Sequence, residues 1–219
     1  MYETILFDFD GTLTPSLDIW LQSFHYALKK YGQQHSDEHV IKYCFYRSFA
    51  DVASDFGIPD GEELRGHVYT GLETGFTQAV AVSGAREFIE ACLRANITTG
   101  LVTSSHRTLV DAALEHLDFT ELFPVVITSD DVAHYKPHPE PVLRALNSLN
   151  KLPDKCLFVG DSSADILSGQ AAGVHTALFL PESHRLYYDF DLLISLNPTF
   201  TFNSFDQLGE RLNLSLPQK

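Results

Sequence analysis

Two aspartates separated by one residue follow a short apolar run near the start of the chain, in the segment Asp8-Phe9-Asp10-Gly11-Thr12. In an extended chain this spacing puts both carboxylates on the same side. Gly11 allows the backbone to turn at once and a ligand to approach closely. One carboxylate of such a pair can attack phosphorus while the other transfers protons. Two acids directly after an apolar run are costly to hold together without a cation, so the pair indicates a catalytic site rather than a turn cap.

Three later segments carry side chains that suit the same chemistry. Thr103 and Ser104, followed by a second serine, offer hydroxyls and amides to a phosphate oxygen, although such residues also cap helices. Lys136 lies in a loop where prolines at 137 and 139 restrict the backbone, and a lysine so held can neutralise an anion. Asp161 and Asp165 suit a hard cation bound through oxygen, or simply the dipole at the start of a helix.

The elements that must position these residues alternate between short apolar runs and helical patterns. This alternation is typical of an α/β fold with a parallel sheet covered on both faces. The predicted strands are Thr4–Phe9, Thr98–Ser104, Val125–Thr128, Cys156–Asp161 and Thr176–Leu180, with a further edge strand at Thr199–Phe202. The predicted helices are Ala85–Ala95, His106–His116, Pro139–Leu149, Ala164–Ala172 and Phe205–Leu212, and Gly173 is predicted to end the fourth of them. Each chemical segment therefore follows a strand, at the sheet edge where open parallel sheets bind ligands.

Residues 15–82 interrupt this alternation. They contain helical patterns, including Leu17–Tyr31 and Glu62–Gln78, and no convincing buried strand. We therefore predict an α/β core formed by residues 1–14 and 83–219, with an all-helical cap inserted after the first strand. Such an insert is expected to stand over the strand ends and cover the site there.

Taken in order, the four segments resemble the haloacid dehalogenase superfamily, and in particular its capped members such as phosphoglycolate phosphatase and β-phosphoglucomutase. The segments that carry the resemblance are DFDGT at 8–12, Thr103-Ser104, Lys136-Pro137 and GDSSAD at 160–165. The resemblance implies a three-layer, Rossmann-like core with a five-stranded central parallel sheet. It also implies a magnesium-dependent phosphatase that hydrolyses a small phosphorylated metabolite.

The resemblance assigns a role to each matching residue. Asp8 would be the nucleophile that forms an aspartyl-phosphate, and Asp10 would be the general acid and base. The phosphoryl group would be held by Thr103, the Ser104 amide and Lys136. Mg²⁺ would be bound by the Asp8 carboxylate, the Asp10 carbonyl and Asp161. Asp165 would lie next to these ligands without binding the ion directly. The chain departs from the usual family sequence at Thr14-Pro15-Ser16 and at Ser105-His106. These departures remove no catalytic group, but they leave the identity of the substrate open.

Other readings of the same aspartates remain open. A halide-releasing dehalogenase needs neither metal nor proton donor, which leaves Asp10, Asp161 and Asp165 without a purpose. A sugar-phosphate mutase uses the same acids, but its cap carries a histidine where this chain has Trp20. Arg47 is either a cap group for a distal phosphate or an ordinary surface residue. A binding module without activity is disfavoured by the intact Asp8 and its neighbouring acid.

Composition excludes some partners. A formal net charge of −14 and a pI near 4.9 argue against duplex nucleic acid and anionic membranes. Neither a signal peptide nor an apolar run long enough to cross a membrane is visible, so we expect a cytoplasmic protein, monomeric or weakly dimeric. Cys44, Cys92 and Cys156 have no zinc-type spacing and are predicted to be buried thiols. His134 and His138 show no metal-ligand pattern and are interpreted as loop residues.

Overall fold

The computed structural model describes residues 2–216. The chain divides into two compact units. One comprises Met1–Pro15 together with Val80–Lys219, and the other comprises Ser16–Ala79.

The unit Ser16–Ala79 is helical throughout its regular structure. Its helices are α1 (Leu17–Lys30), α2 (Asp37–Cys44), α3 (Phe49–Asp55) and α4 (Gly61–Phe76). Helices α1 and α4 pack closely because α4 presents glycines to α1: a Cβ on Gly71 would lie 2.9 Å from Ser23 Cβ, and one on Gly75 would lie 2.2 Å from Ile19 Cγ2. Helices α2, α3 and α4 begin at side-chain caps, which are Ser36, Ser48 and Asp60 respectively.

A six-stranded parallel sheet runs through the other unit. Its strands are β1 (Thr4–Phe7), β2 (Thr98–Val102), β3 (Val126–Ile127), β4 (Cys156–Gly160), β5 (His175–Phe179) and β6 (Phe200–Phe202), in the spatial order β3-β2-β1-β4-β5-β6. Every neighbouring pair is parallel. All residues of β1 and β4 are buried. Because successive side chains point to opposite faces, both faces of the sheet are covered there. The predicted α/β fold is confirmed.

The helices of this unit follow the strands in the predicted alternation. They are α5 (Ala85–Arg94), α6 (Arg107–His116), α7 (Glu140–Leu149), α8 (Ser163–Ala171), α9 (Phe190–Ser195) and α10 (Phe205–Leu212). Gly173 follows the end of α8 with a φ of +76°, as predicted for a glycine at that position. Helix α9 was not predicted from its short apolar pattern; Asp189 caps it by accepting from the backbone N–H groups of Asp191 and Leu192.

The sheet has one strand more than the resemblance implies. The sixth strand is the edge strand predicted in the tail: Phe200 lies beside Ala177 of β5 in parallel register. An aromatic cluster holds it in place, since the ring centroid of Phe179 lies 5.1 Å from that of Phe202 and 5.5 Å from that of Phe205. The C-terminal segment therefore adds a sixth strand at the edge of the sheet and packs its aromatic rings against β5.

Five strands end one or two residues earlier than predicted, and three of them, β1, β2 and β4, end immediately before the chemical residues. Strand β1 ends at Phe7 rather than Phe9, because the amides of Leu13 and Thr14 turn back to the Phe9 carbonyl at 3.0 and 3.2 Å. That turn requires Gly11 at a φ of +77°. Similarly, β2 ends at Val102 and β4 at Gly160, so the hydroxyls and acids lie in the loops beyond the sheet.

The three cysteines are buried free thiols, as predicted. Burial raises the pKa of Cys44, Cys92 and Cys156 to about 12, which leaves each thiol protonated and unreactive at neutral pH. Across residues 2–216, no helix is long and apolar enough to cross a membrane.

Candidate active site

The predicted site residues lie at the carboxyl edge of the sheet, around the point where the strand order reverses. From β1 the chain proceeds outward to β2 and β3, then returns to β4 on the other side of β1. Asp8 follows β1 and Asp161 follows β4, and these two strands are neighbours. Loops that leave adjacent strands in different directions open a crevice, the usual ligand site of such sheets.

Lys136 joins two of the aspartates in a buried ion-pair arrangement. Its Nζ lies 2.6 Å from Asp8 Oδ1 and 2.6 Å from Asp165 Oδ1, and it also donates to the Val102 carbonyl at 3.3 Å. The side chains of Lys136, Asp8 and Asp165 are 4%, 7% and 1% exposed. An ammonium group so enclosed is a fixed positive charge beside Asp8, because it cannot exchange its partners for water.

Asp161 lies against the turn that follows β1. A Cβ on Gly11 would lie only 2.1 Å from Asp161 Oδ2, so no larger residue fits at that position. Thr12 Oγ1 donates to Asp161 Oδ1 at 3.4 Å, and the Tyr188 hydroxyl donates to Oδ2 at 3.0 Å. The buried ring of His184 approaches the same oxygen at 3.5 Å. The Asp161 carboxylate is therefore held from two segments far apart in the sequence.

Asp10 is held by hydroxyls from the loop after β2. Ser105 Oγ donates to Asp10 Oδ2 at 2.6 Å, and Thr103 Oγ1 donates to the same oxygen at 3.4 Å. Thr103 Oγ1 also accepts the backbone N–H of Ser105 at 3.0 Å, which fixes the turn. Ser104 is exposed between these two buried residues. The structure thus places Thr103 beside Asp10, whereas Ser104 lies near the cluster because it directly follows Thr103 in the chain.

Asp165 makes its contacts with both carboxylate oxygens. Oδ1 pairs with Lys136, and Oδ2 accepts from the Ser162 backbone N–H at 3.0 Å and the Ser162 hydroxyl at 2.7 Å. Ser162 and Asp165 form a capping box that starts α8. A Cβ on Gly160 would lie 2.4 Å from Asp165 Cβ, so this glycine makes room for the carboxylate.

Burial and mutual repulsion perturb the acids of the cluster. Burial, together with the charge of Asp165, raises the pKa of Asp8 to about 8, although Lys136 acts in the opposite direction. Burial and the charges of Asp165 and Asp8 raise the pKa of Asp161 well above its usual value. Burial lowers the pKa of Lys136, but the carboxylates of Asp165 and Asp8 outweigh this effect and raise it. The lysine therefore stays charged, while the carboxylates lack sufficient positive charge around them.

The donor set fits a divalent cation. Carboxylate oxygens of Asp8, Asp161 and Asp165 lie within 4.8 Å of one another, all three residues are buried, and a single ammonium faces them. Hard oxygen donors of this kind suit Mg²⁺ and similar ions. A cation here would supply the missing positive charge and lower the pKa of Asp8 into the range where it is ionised at neutral pH.

These pKa shifts predict how stability depends on pH when no metal is bound. Asp8 has a usual pKa of 3.8 and a pKa of about 8 in the folded protein, so between these values the folded state holds a proton that the unfolded state has lost. Its contribution to stability is complete below about pH 4 and disappears as the pH rises through about 8. We expect the Tm measured in chelator to fall between pH 6 and pH 8.5, and added Mg²⁺ to raise it most at pH 8.5. An Asp8→Asn variant should show a shallower fall; equal slopes in both proteins would contradict this prediction.

Three contacts of the site were not predicted from the sequence. Tyr188 and His184 reach Asp161 from a segment without any recognisable motif, and no local signal marks them. Ser105 was noted only as a departure from the family wording, yet its hydroxyl makes the shorter of the two described hydrogen bonds to Asp10. A hydroxyl two residues beyond Thr103, at a predicted helix start, is the signal that was available.

Comparison with known proteins agrees with this geometry. Residues 5–179 match the haloacid dehalogenase-like hydrolase family model. The chain belongs to this family. It is also 33% identical over 180 residues to the pyrophosphatase PpaX of Oceanobacillus iheyensis, covering 80% of this chain and 81% of that protein. The resemblance and the enzyme class predicted from the sequence, a hydrolase, are therefore confirmed.

Solved structures of the family share the fold over nearly the whole chain. A haloacid dehalogenase family hydrolase from Deinococcus radiodurans, with bound phosphate and sodium, superposes with a TM-score of 0.81 at 24% identity and covers 99% of each chain. A candidate phosphoglycolate phosphatase from Lactobacillus plantarum superposes with a TM-score of 0.81 at 24% identity, covering 96% of this chain and 99% of that one. The family match ends at residue 179, before Tyr188 and His184, so these two contacts to Asp161 lie outside it.

Proposed function

We propose that this protein is a magnesium-dependent phosphatase that hydrolyses a small phosphate monoester through an aspartyl-phosphate on Asp8. The observation that carries the proposal is the enclosed Lys136, whose Nζ lies 2.6 Å from Asp8 Oδ1 in a cluster of three buried carboxylates. Phosphoryl transfer depends mainly on positioning and on neutralising charge, and this arrangement supplies both around one carboxylate.

In the proposed reaction Asp8 is the nucleophile and Asp10 transfers protons. The Asp8 carboxylate attacks phosphorus, and the bond from phosphorus to the leaving oxygen breaks as the Asp10 carboxylic acid donates its proton to that oxygen. Water then attacks the phosphorus of the phosphoaspartate while Asp10 accepts a proton from it, and the bond from phosphorus to the Asp8 oxygen breaks. This step releases inorganic phosphate and restores the Asp8 carboxylate. Ser105, whose hydroxyl lies 2.6 Å from Asp10 Oδ2, orients that carboxyl group. Thr103, the Ser104 amide and Lys136 are the proposed phosphate-binding groups.

The proposed metal ligands are Asp8, the Asp10 carbonyl and Asp161. When bound, Mg²⁺ supplies positive charge to the phosphoryl oxygens and to the nucleophile. Asp165 is assigned a supporting role because the Lys136 ammonium pairs with one of its oxygens at 2.6 Å, while the backbone N–H and the hydroxyl of Ser162 both donate to the other. Tyr188, which donates to Asp161 Oδ2 at 3.0 Å, is proposed to orient that ligand, as partners of metal ligands commonly do.

Several observations favour a phosphatase over a sugar-phosphate mutase. A mutase must bind a second phosphate or a sugar, yet Arg47 and His25, two side chains of the helical unit that could contribute to such a site, are engaged within that unit. Arg47 pairs with Asp55 and donates to the Tyr43 carbonyl at 3.2 Å, and His25 Nε2 lies 2.8 Å from Asp37 Oδ1. The position of the mutase histidine is Trp20, as noted above. A relative of comparable length is named a pyrophosphatase.

That relative also supports a second candidate substrate, inorganic pyrophosphate. At 33% identity over most of both chains, PpaX of Oceanobacillus iheyensis shares enough sequence to make its named activity a specific alternative. The same aspartates would serve, because attack on either phosphorus of pyrophosphate forms the same phosphoaspartate. The leaving phosphate is less basic than an alkoxide, so this reaction would depend less on proton donation by Asp10.

A substrate panel assayed with Mg²⁺ tests these alternatives together. We expect inorganic phosphate to be released from small monoesters, including p-nitrophenyl phosphate, at a rate that a sugar bisphosphate does not stimulate. β-Glucose 1-phosphate should give glucose and phosphate, or no reaction. Accumulation of glucose 6-phosphate, with activation by the 1,6-bisphosphate, would contradict the phosphatase proposal. A kcat/KM for pyrophosphate more than about tenfold above every monoester, roughly 1.4 kcal/mol, would identify pyrophosphate as the substrate.

The proposal places the enzyme in the cytoplasm, as a monomer or weak dimer whose partner is a small phosphorylated metabolite. The net charge of −14 supports the exclusion of nucleic acid and anionic membranes as partners. A negatively charged substrate is still accommodated, because Lys136 and the bound cation determine the local field.

A further inference from the structure

A second group of potential metal ligands lies on the loop that carries Lys136, outside the aspartate cluster. It consists of His134, His138 and Glu140, called here the histidine–glutamate cluster. One ring nitrogen of each histidine and one carboxylate oxygen of Glu140 lie within 4.8 Å of one another. We propose that this cluster is a binding site for a divalent transition-metal ion of the zinc class, distinct from the proposed Mg²⁺ site.

The three side chains are already held close together without a metal. His134 Nδ1 lies 2.8 Å from Glu140 Oε2, and the ring centroids of His134 and His138 are 4.5 Å apart. Zinc bonds of about 2.0–2.1 Å in tetrahedral geometry place ligand atoms about 3.3 Å apart. An ion therefore enters after side-chain movements of the order of an ångström. These residues are exposed or half-buried, so such movements disturb no core packing.

The loop backbone organises the carboxylate of the cluster. Glu140 Oε1 accepts the Ala133 backbone N–H at 2.8 Å, and Oε2 accepts that of His134 at 3.1 Å. The Glu140 backbone N–H in turn donates to His138 Nδ1 at 3.2 Å. These hydrogen bonds and His134 lower the pKa of Glu140, so the carboxylate is charged at neutral pH. The ring nitrogens and the carboxylate are thus presented by one short, cross-linked loop.

The ligand atoms of the cluster favour Zn²⁺ over Mg²⁺. Two imidazoles and one carboxylate suit Zn²⁺ and its neighbours, whereas Mg²⁺ prefers oxygen ligands in octahedral geometry. Three protein ligands leave a further position for water. Both histidines line an open depression of about 710 Å³, which gives the ion access from solvent. Because Lys136 lies between the two histidines in sequence, an ion held there would also restrain the loop that presents Lys136.

The chain contains a matched control pair of histidines. The rings of His35 and His39 are stacked with centroids 4.7 Å apart, close to the 4.5 Å of the proposed site. His35 Nε2 lies 3.0 Å from Gln33 Oε1 rather than near a carboxylate. Within residues 2–216, this pair belongs to no group of three ligand atoms within 4.8 Å. Because zinc binding at the proposed site requires three converging ligands, the His35–His39 pair should bind zinc much more weakly than the histidine–glutamate cluster does.

The test is calorimetric titration of Zn²⁺ into the full-length protein in excess Mg²⁺, which occupies the aspartate cluster. We expect one Zn²⁺ per chain, with affinity reduced at least about tenfold in His134→Ala and in His138→Ala, and unchanged in His39→Ala. Absence of zinc binding by the wild-type protein, or loss of binding in His39→Ala alone, would overturn the proposal.

Nuclear magnetic resonance of the wild-type protein gives a second readout that does not depend on variants. One equivalent of Zn²⁺ should shift the ring resonances of His134 and His138 and leave those of His35 and His39 in place. If the resonances of His134 and His138 do not change, the cluster is not a zinc site. The outcome is independent of phosphatase activity, so the proposed function and this proposal can fail separately.

Discussion

An Asp8→Asn variant is expected to lose at least about three orders of magnitude in kcat, roughly 4 kcal/mol of transition-state stabilisation. The substitution keeps the size of the side chain and removes the charge that attacks phosphorus. The fold should persist, because an amide avoids the cost of burying a carboxylate whose pKa burial raises to about 8. The measurement is hydrolysis of p-nitrophenyl phosphate with saturating Mg²⁺, accompanied by thermal unfolding.

The matched control for this variant is Asp154→Asn, the same chemical change at an exposed position before β4. It should leave kcat within about twofold of the wild-type value, since surface substitutions away from a site change little. If Asp8→Asn kept activity within tenfold of the wild type, Asp8 would not be the nucleophile.

Removing the divalent metal is expected to abolish activity, and adding Mg²⁺ should restore it. Three buried carboxylates around one ammonium cannot all be ionised without further positive charge, and a protonated Asp8 is a poor nucleophile. Asp161→Ala should raise the Mg²⁺ concentration needed for half-maximal activity. The measurement is phosphate release in chelator, followed by titration with Mg²⁺.

Calcium provides the ion control for this experiment. It carries the same charge but prefers more ligands and a looser geometry, so it should replace Mg²⁺ poorly. Full phosphate release in chelator would show that hydrolysis needs no bound metal, and would contradict the proposed metal site at Asp8, Asp10 and Asp161.

The sequence alone was sufficient for the order of strands and helices and for the main chemical groups. Apolar runs that end at Asp8, Asp161 and the hydroxyls after β2 are local features, and both helical and strand periodicity can be read within a few residues. The predicted fold, family and enzyme class were confirmed. The roles of Asp8, Asp10 and Lys136 remain predictions, and the experiments above test them.

Only the tertiary structure decided how residues distant in sequence meet. Lys136 reaches both Asp8 and Asp165 because the loops after β3, β1 and β4 converge at one edge of the sheet. Tyr188 meets Asp161 because the segments after the neighbouring strands β5 and β4 converge there too. No periodicity or motif encodes such contacts, since they depend on strand order and loop path. Glu140, the third member of the histidine–glutamate cluster, was not singled out from the sequence, because its position at the start of α7 marks it as an ordinary helix residue. Its carboxylate meets His134 through the path of the loop at residues 133–140, which residue spacing alone does not specify.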